Sequence, residues 1–525
     1  MALVTISLSK SAPKNSELLF VPVSAAQSAG AGGKSRSAQG WSSFEPSSRA
    51  VLKDLDDAHD AYILDGIKHF EYSPTPGSKV SINLGEPSSF IRLCAVSSIK
   101  DSDALDGEEW RRVGGDAWKA ASDHRAAKIA VILDALPEEH RPSAAEAIVE
   151  GINLAAYSFG SYKSSNGAAK TQRKTFVLCA SGLNSKRTAK AVSTAELRAA
   201  STVFARDLVN TPPSDLQPKN LVAAARGIAS RKGSGITLKT FNAAQLAKMG
   251  ANALLAVSRG SDAPPFMTHL IYKPSRKSKR SRRIVLVGKG VTYDSGGLSI
   301  KTRNGLMTMK CDMAGAACVL GVMHAISRLP KADRPIHEVH AIVPTSENMI
   351  NGKSVKPGDV VKAINGKSIE ILNTDAEGRL LLADALSYSK RLKADFIVDA
   401  ATLTGACIAA LGEKFAGIFT DDEDLRDMLM SAAEDVGEKL WPLPLGSEYR
   451  SAIKSSIADI KNIGSGTAPG ATTAALFLKE FAPEEARWAH LDIAGPAFVD
   501  SPNEYVPAGG TGFGVRTLLQ FIEQL

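Results

Sequence analysis

Two short stretches hold most of the side chains that could do chemistry. Residues 285–317 (VLVGKGVTYDSGGLSIKTRNGLMTMKCDMAGAA) carry Lys289, Asp294, Lys301, Lys310 and Asp312 among glycines. Residues 373–386 (NTDAEGRLLLADAL) carry Asp375, Glu377 and Arg379. Asp375 and Glu377 stand two apart, and in extended backbone such residues project to the same side, so both carboxylates could converge on one point. Neighbouring carboxylates cannot both stay ionised without a counter-charge. They share a proton, or Arg379 neutralises them, or divalent metals do. An acidic first turn of a helix is the plain alternative, because carboxylates favour that end and cap its free N–H groups. With Asp294 and Asp312 in another glycine-rich segment, four carboxylates on two loops suit a pair of cations about 3.5–4 Å apart.

Other chemistries fit less well. The first stretch lacks GxxxxGK[ST], which a phosphate-cradling loop requires, and Gly288 and Gly290 do not open a GxGxxG motif. Ser295 before Gly296-Gly297 is not GxSxG, and no histidine lies near it in sequence. His337 and His340 are three apart in an alternating run, so they project to opposite faces rather than binding zinc as a helical HExxH does. Cys94, Cys179, Cys311, Cys318 and Cys407 are scattered, with no CxxC pair, which fits a reducing compartment rather than a disulfide framework.

Elements that position these groups follow from periodicity. From residue 217 onward, strand-like runs (ITLKTF, THLIYK, RIVLVG, VHAIVP, DFIVDA, WAHLDI) alternate with helical ones such as AACVLGVMHAISRL and RLLLADALSYSKRL. That alternation predicts an α/β domain, its mainly parallel sheet covered by helices on both faces. In such sheets ligands sit at the carboxyl ends of strands, where both stretches lie. Residues 1–190 read as a second α/β domain, with strands at Val4–Leu8, SKVSINL, FIRLCAVSS, KIAVILDAL and KTFVLCAS. An Ala/Ser/Gly-rich loop at 24–48 is expected to join the first strand to a helix near 50–70. Residues 191–216 read as a linker helix ended by Pro212-Pro213, leaving 217–525 as the domain that carries the chemistry.

The 525 residues, 44% hydrophobic and 22% charged, are ample for two domains of ordinary globular composition. No run of about eighteen purely apolar residues predicts a membrane span. The N-terminal residues lack a charged leader followed by a long apolar run, so the cytoplasm is the expected compartment. A net charge of +8 does not by itself argue for nucleic acid. Seven basic residues in eleven at 273–283 (KPSRKSKRSRR) could form a nucleic-acid patch, but without interleaved aromatics they read as a solvated hairpin insertion.

These motifs closely resemble the leucyl aminopeptidase family of dinuclear metallopeptidases. NTDAEGRLLLADAL is similar to the family signature and its flanks, and VGKGVTYDSGGLSIK with MKCDMAGAA to its other metal-binding segment. The likeness extends through ARDLVNTPPSDLQP, NMINGKSVKPGDVV, DAATLTGAC and HLDIAGPAF. It implies an aminopeptidase with two divalent metals (zinc, manganese, cobalt or magnesium), Asp294 and Glu377 bridging them, Asp375 completing one site and Lys289 with Asp312 the other. A lysine ligand must be neutral. The resemblance further implies that Lys301 stabilises the oxyanion and that Arg379 holds a bicarbonate ion acting as base. Met309, Thr402, Gly405, Ala494 and Ala497 would line a pocket for a leucine-like side chain, and the subunits would form a homohexamer acting on peptides. A phosphate-ester hydrolase would use the same carboxylates without needing a lysine ligand, and a nucleic-acid-binding regulator would use 273–283.

Overall fold

The computed structural model describes residues 4–24, 41–85, 89–96, 107–164, 173–183, 185–275 and 278–525. Two compact units are present. One comprises Met1–Ala200 with Pro502–Pro507, the other Ser201–Ser501 with Ala508–Leu525. The boundary falls inside a single helix, Lys186–Asn210, which starts before the expected linker and ends just before Pro212-Pro213.

The first unit is built on a six-stranded sheet in the order Val4–Ser9, Lys174–Cys179, Lys128–Ile132, Leu18–Ser24, Phe90–Val96, Lys79–Asn83. All neighbours are parallel except the last pair. The strand Leu18–Ser24 (LLFVPVS) is interior to the sheet and buried along its whole length, and it corrects the expectation that a loop follows the first strand directly. A short, continuous apolar run with a proline carries no alternation to announce it. Residues 25–40 of the Ala/Ser/Gly-rich segment lie outside the described residues, whereas Pro46–Ala58 and Tyr62–His69 form two helices where one was expected.

In the second unit a nine-stranded sheet has the order Leu440–Pro442, Ala416–Phe419, Arg487–Asp492, Phe396–Ala401, Arg283–Gly288, Glu338–Asn348, Phe266–Tyr272, Ile236–Asn242, with Gly290–Asp294 pairing the far end of Glu338–Asn348. From Arg487–Asp492 to Glu338–Asn348 the pairings are parallel, and antiparallel pairs flank that centre. Alternate residues of one strand enter different cores. Ile284 and Leu286 pack with helix Ala314–Arg328, while Val285 and Val287 pack with helix Gly378–Ser389. A strand buried on both faces must read as continuous Val, Ile and Leu, which is how RIVLVG reads. Leu380, Leu381 and Leu382 are all at most 1% exposed, each contributing ~1.5–3 kcal/mol by burial.

By length and composition the run Arg303–Arg328 could cross a membrane, but its most apolar window is 67% buried, as expected of a helix under a sheet. His337 Nδ1 accepts the Arg282 N–H at 3.1 Å, and His340 bonds His269 (2.8 Å) and Glu338 (3.1 Å), so both complete hydrogen bonds within the sheet region. Residues 276 and 277 of the basic stretch lie outside the described residues.

Candidate metal centre

The parallel strands end together, and the reactive groups stand where they end. Lys289 follows Arg283–Gly288, and its backbone is clamped by two bonds: its N–H to Ala400 O (3.1 Å) and its carbonyl from Ala316 N (2.8 Å). Strand and helix approach closely there. A Cβ on Gly288 would lie 2.4 Å from the Gly315 carbonyl oxygen, and one on Gly315 would lie 2.0 Å from that of Ala400. Asp294 closes the strand Gly290–Asp294. The chain then turns through Gly296 and Gly297, at φ 86° and 64°, a region costly for side-chain-bearing residues. Asp312 lies in the 3-10 turn Met309–Met313 that leads into helix Ala314–Arg328.

Ligand-type oxygens of Asp294, Asp312 and Glu377 lie within 4.8 Å of one another, and all three residues are buried. Lys289 Nζ stands among them, 2.6 Å from Asp312 Oδ1, 3.0 Å from Glu377 Oε1 and 2.8 Å from the Thr402 carbonyl. Lys301 Nζ joins the remaining pair, 2.9 Å from Asp294 Oδ2 and 2.6 Å from Asp375 Oδ1. Arg379 is buried two residues beyond Glu377; its Nη1 donates to the Asn462 carbonyl at 2.8 Å, and its Nε has no hydrogen-bond partner among the described residues.

Asp375 and Glu377 do not share one partner, Asp375 pairing with Lys301 and Glu377 with Lys289, and the backbone between them is not the extended one expected. Residues 373–376 form a turn closed by Ala376 N to Asn373 O (3.3 Å), and Glu377 already has helical dihedrals (φ −76°, ψ −36°). Glu377 occupies the N-cap position of Gly378–Ser389, yet its side chain makes no capping bond. The carboxylate turns to Lys289 instead.

Burial raises the carboxyl pKa of Asp294, Asp312 and Asp375, reinforced by neighbouring carboxylates and opposed by the lysines. For both lysines burial alone would disfavour charge, but the carboxylates outweigh it and hold their pKa values above normal. Burial lowers Arg379 to about 10, with Glu377 and Asp492 offsetting part of the effect.

Of the expected pocket residues, Thr402 is the one bonded into this cluster, its Oγ1 donating to Asp312 Oδ1 at 2.8 Å. Met309 is half-buried at the start of its turn, Gly405 is exposed at the start of helix Gly405–Leu411, and Ala494 is half-buried. Ala497, 2% exposed, belongs to the hydrophobic cluster that includes Ala316 and Leu491.

Three supporting residues were not singled out from sequence. Asn348 Nδ2 donates to Asp294 Oδ1 (2.8 Å) and to the Thr374 carbonyl (3.0 Å), tying the two metal-type loops together. Asn462 accepts the N–H groups of Leu372 and Asn373 and donates to the Asn373 carbonyl. Asp492 gathers the 403–404 backbone. Asn348 and Asp492 lie in stretches already noted for their resemblance, but Asn462 has no local signal.

Divalent cations fit this donor set. Asp312 Oδ2 and Glu377 Oε2 are buried with no hydrogen-bond partner among the described residues. Four carboxylates face two lysines, so the cluster is short of positive charge. Buried carboxylates with an amine, at the carboxyl ends of a parallel sheet, define a metallohydrolase-type centre.

The comparisons identify which. Residues 203–519 match the profile described as cytosol aminopeptidase family, catalytic domain, and residues 43–166 match that family's N-terminal domain. A probable cytosol aminopeptidase of Gloeobacter violaceus is 39% identical over 489 residues, covering 91% of this chain and 94% of the relative. One of Aquifex aeolicus is 43% identical over 419 residues, covering 78% and 82%. Among solved structures, a mutant tomato leucine aminopeptidase aligns with a TM-score of 0.86 at 33% identity, covering 99% and 97%. The bottromycin maturation enzyme BotP in complex with Mn aligns at 0.79 and 29%, covering 97% and 99%. The chain belongs to the cytosol aminopeptidase family and is a metal-dependent exopeptidase.

Proposed function

We propose that the protein removes leucine-like residues from the N-terminus of peptides, using two divalent cations held by Lys289, Asp294, Asp312, Asp375 and Glu377. The observation that carries this reading is the convergence of buried carboxylates on Lys289, with two of their oxygens left without donors. Asp294 and Glu377 would serve both cations, Asp375 one, and Lys289 with Asp312 the other; zinc, manganese, cobalt and magnesium are the candidates. When bound, such cations acidify water and polarise a carbonyl.

The chain's own residues supply the rest. Lys289 must give up its proton to act as a ligand. Lys301, with 18% of its side chain exposed, is the more accessible lysine and would donate to the oxyanion as the peptide carbonyl becomes tetrahedral. Arg379, with its unpartnered Nε, would hold a bicarbonate ion, a planar anion able to act as base. Met309, Thr402, Gly405, Ala494 and Ala497 would shape the side-chain pocket. A free α-amine is a good ligand and an acylated nitrogen a poor one, which restricts cleavage to the first bond. Family membership supports assembly as a homohexamer in the cytoplasm.

The test is chelation followed by re-metallation, with leucine amide, a leucyl peptide and its N-acetylated form as substrates. Activity should vanish with chelator, return with metal, and be absent on the acetylated peptide and in Asp375→Ala and Lys289→Ala. Chelator-resistant activity, or survival of both substitutions, would overturn the two-cation reading.

A further inference from the structure

Outside the ligand set, one buried carboxylate organises a loop on which the metal cluster leans. Asp492 ends the strand Arg487–Asp492, beside Ala401 at the end of Phe396–Ala401, and is 0% exposed. Its Oδ1 accepts the backbone N–H groups of Leu403 (3.1 Å), Thr404 (3.4 Å) and Ala494 (3.2 Å). Its Oδ2 accepts the Thr404 hydroxyl at 2.6 Å. Thr404 in turn caps helix Gly405–Leu411, accepting the Cys407 N–H at 3.0 Å. One residue before this clamped pair stands Thr402, whose carbonyl accepts from Lys289 Nζ (2.8 Å) and whose hydroxyl donates to Asp312 Oδ1 (2.8 Å).

The Thr402 contacts therefore depend on where residues 403–404 are held. Without the carboxylate, the N–H groups of Leu403, Thr404 and Ala494 and the Thr404 hydroxyl lose their acceptor, and the loop must move to find others. We infer that Asp492 is a positioning residue that sets Thr402 and, through it, Lys289 and Asp312. This inference rests on the two-cation reading, and adds to it a residue that is not a member of the ligand set. Both peptide-pocket segments expected from sequence, at 402–405 and 494, are tied to the same carboxylate. Asp492 thereby couples cation retention to substrate fit.

The experiment titrates the full-length chain with Mn²⁺ or Zn²⁺ against a competing chelator, and measures kcat, KM and Tm in parallel. Asp492→Asn keeps one acceptor oxygen for the N–H groups but sets an amide NH2 against the Thr404 hydroxyl, so it should stay folded yet weaken one of the two cation sites by about 10–100-fold, the range for residues that support metal ligands. Thr404→Val, which removes one hydroxyl, should weaken the same site by a smaller factor and remains informative if Asp492→Asn does not fold. Glu438→Gln is the matched control. That buried carboxylate accepts from Gly514 N (3.0 Å), Thr517 N (3.1 Å) and Thr517 Oγ1 (2.6 Å) without contacting the cluster. It should lower Tm and leave cation binding unchanged. Wild-type affinity at both sites in Asp492→Asn and Thr404→Val, or equal weakening by Glu438→Gln, would overturn the inference. A wild-type chain that binds no cations would instead bring down the reading beneath it.

Discussion

Gly378 is the first residue of helix Gly378–Ser389 and has no left-handed dihedral to explain its lack of a side chain. Its neighbour explains it. A Cβ there would stand 2.4 Å from Lys289 Cε, 2.7 Å from Nζ and 2.8 Å from Cδ. Ordinary contact begins at 3.4 Å, so in Gly378→Ala the lysine must retreat by roughly 1 Å. Its backbone cannot yield, being bonded to Ala400 and Ala316, but the end of its side chain can. Contacts at 2.6, 2.8 and 3.0 Å would then stretch beyond the hydrogen-bond range, which ends near ~3.2 Å. The fold should survive, because alanine is the better helix former by up to ~1 kcal/mol. Catalysis should not, since a misplacement of about 1 Å in an active site can cost on the order of 100-fold. The assay is kcat/KM on leucine amide, with bound metal counted on the same sample and Tm recorded. A variant with full metal content and kcat/KM within about threefold of wild type would refute the reasoning, because Lys289 would then not need its place.

Two further substitutions probe the surrounding frame. Gly315→Ala drives a Cβ to 2.0 Å from the Ala400 carbonyl oxygen, where backbone must move rather than a flexible side chain. It should cost about 1–3 kcal/mol of stability, read as a lower Tm or denaturant midpoint, in contrast to Gly378→Ala. Asp384 accepts the N–H groups of Leu254 (2.9 Å) and Ile364 (2.8 Å), and burial pushes its carboxyl up from 3.8 to about 7. An acid whose pKa is raised by folding binds more protons folded than unfolded. The stability it contributes is complete below pH 3.8 and is lost as pH rises through about 7. Between pH 5 and 8, Tm should therefore fall more for wild type than for Asp384→Asn; parallel curves would show that the group does not titrate there.

Local pattern carried much of this protein. Continuous apolar runs such as RIVLVG and DFIVDA announce strands buried on both faces, and the helical run RLLLADALSYSKRL lies where Gly378–Ser389 forms. Residue chemistry alone marked Asp294, Asp312 and Glu377 as groups that want a common counter-charge, and these three converge. Tertiary structure decided the rest. Asp375 and Glu377 meet the lysines through a turn and a helix start, not by strand alternation, because loop dihedrals answer to partners such as Asn348 and Asn462 far along the chain. Leu18–Ser24 takes its interior place from pairing with strands far along the chain, Leu18 opposing Phe90 of Phe90–Val96 and Ile129 of Lys128–Ile132. Asp492 acquires its role only because its strand lies beside Phe396–Ala401, putting one carboxylate under a loop about ninety residues away. Periodicity records which face of an element meets water or core within about ten residues. Strand order is fixed by long-range pairing, and strand order is what brings Lys289, Asp312, Thr402 and Asp492 to one place.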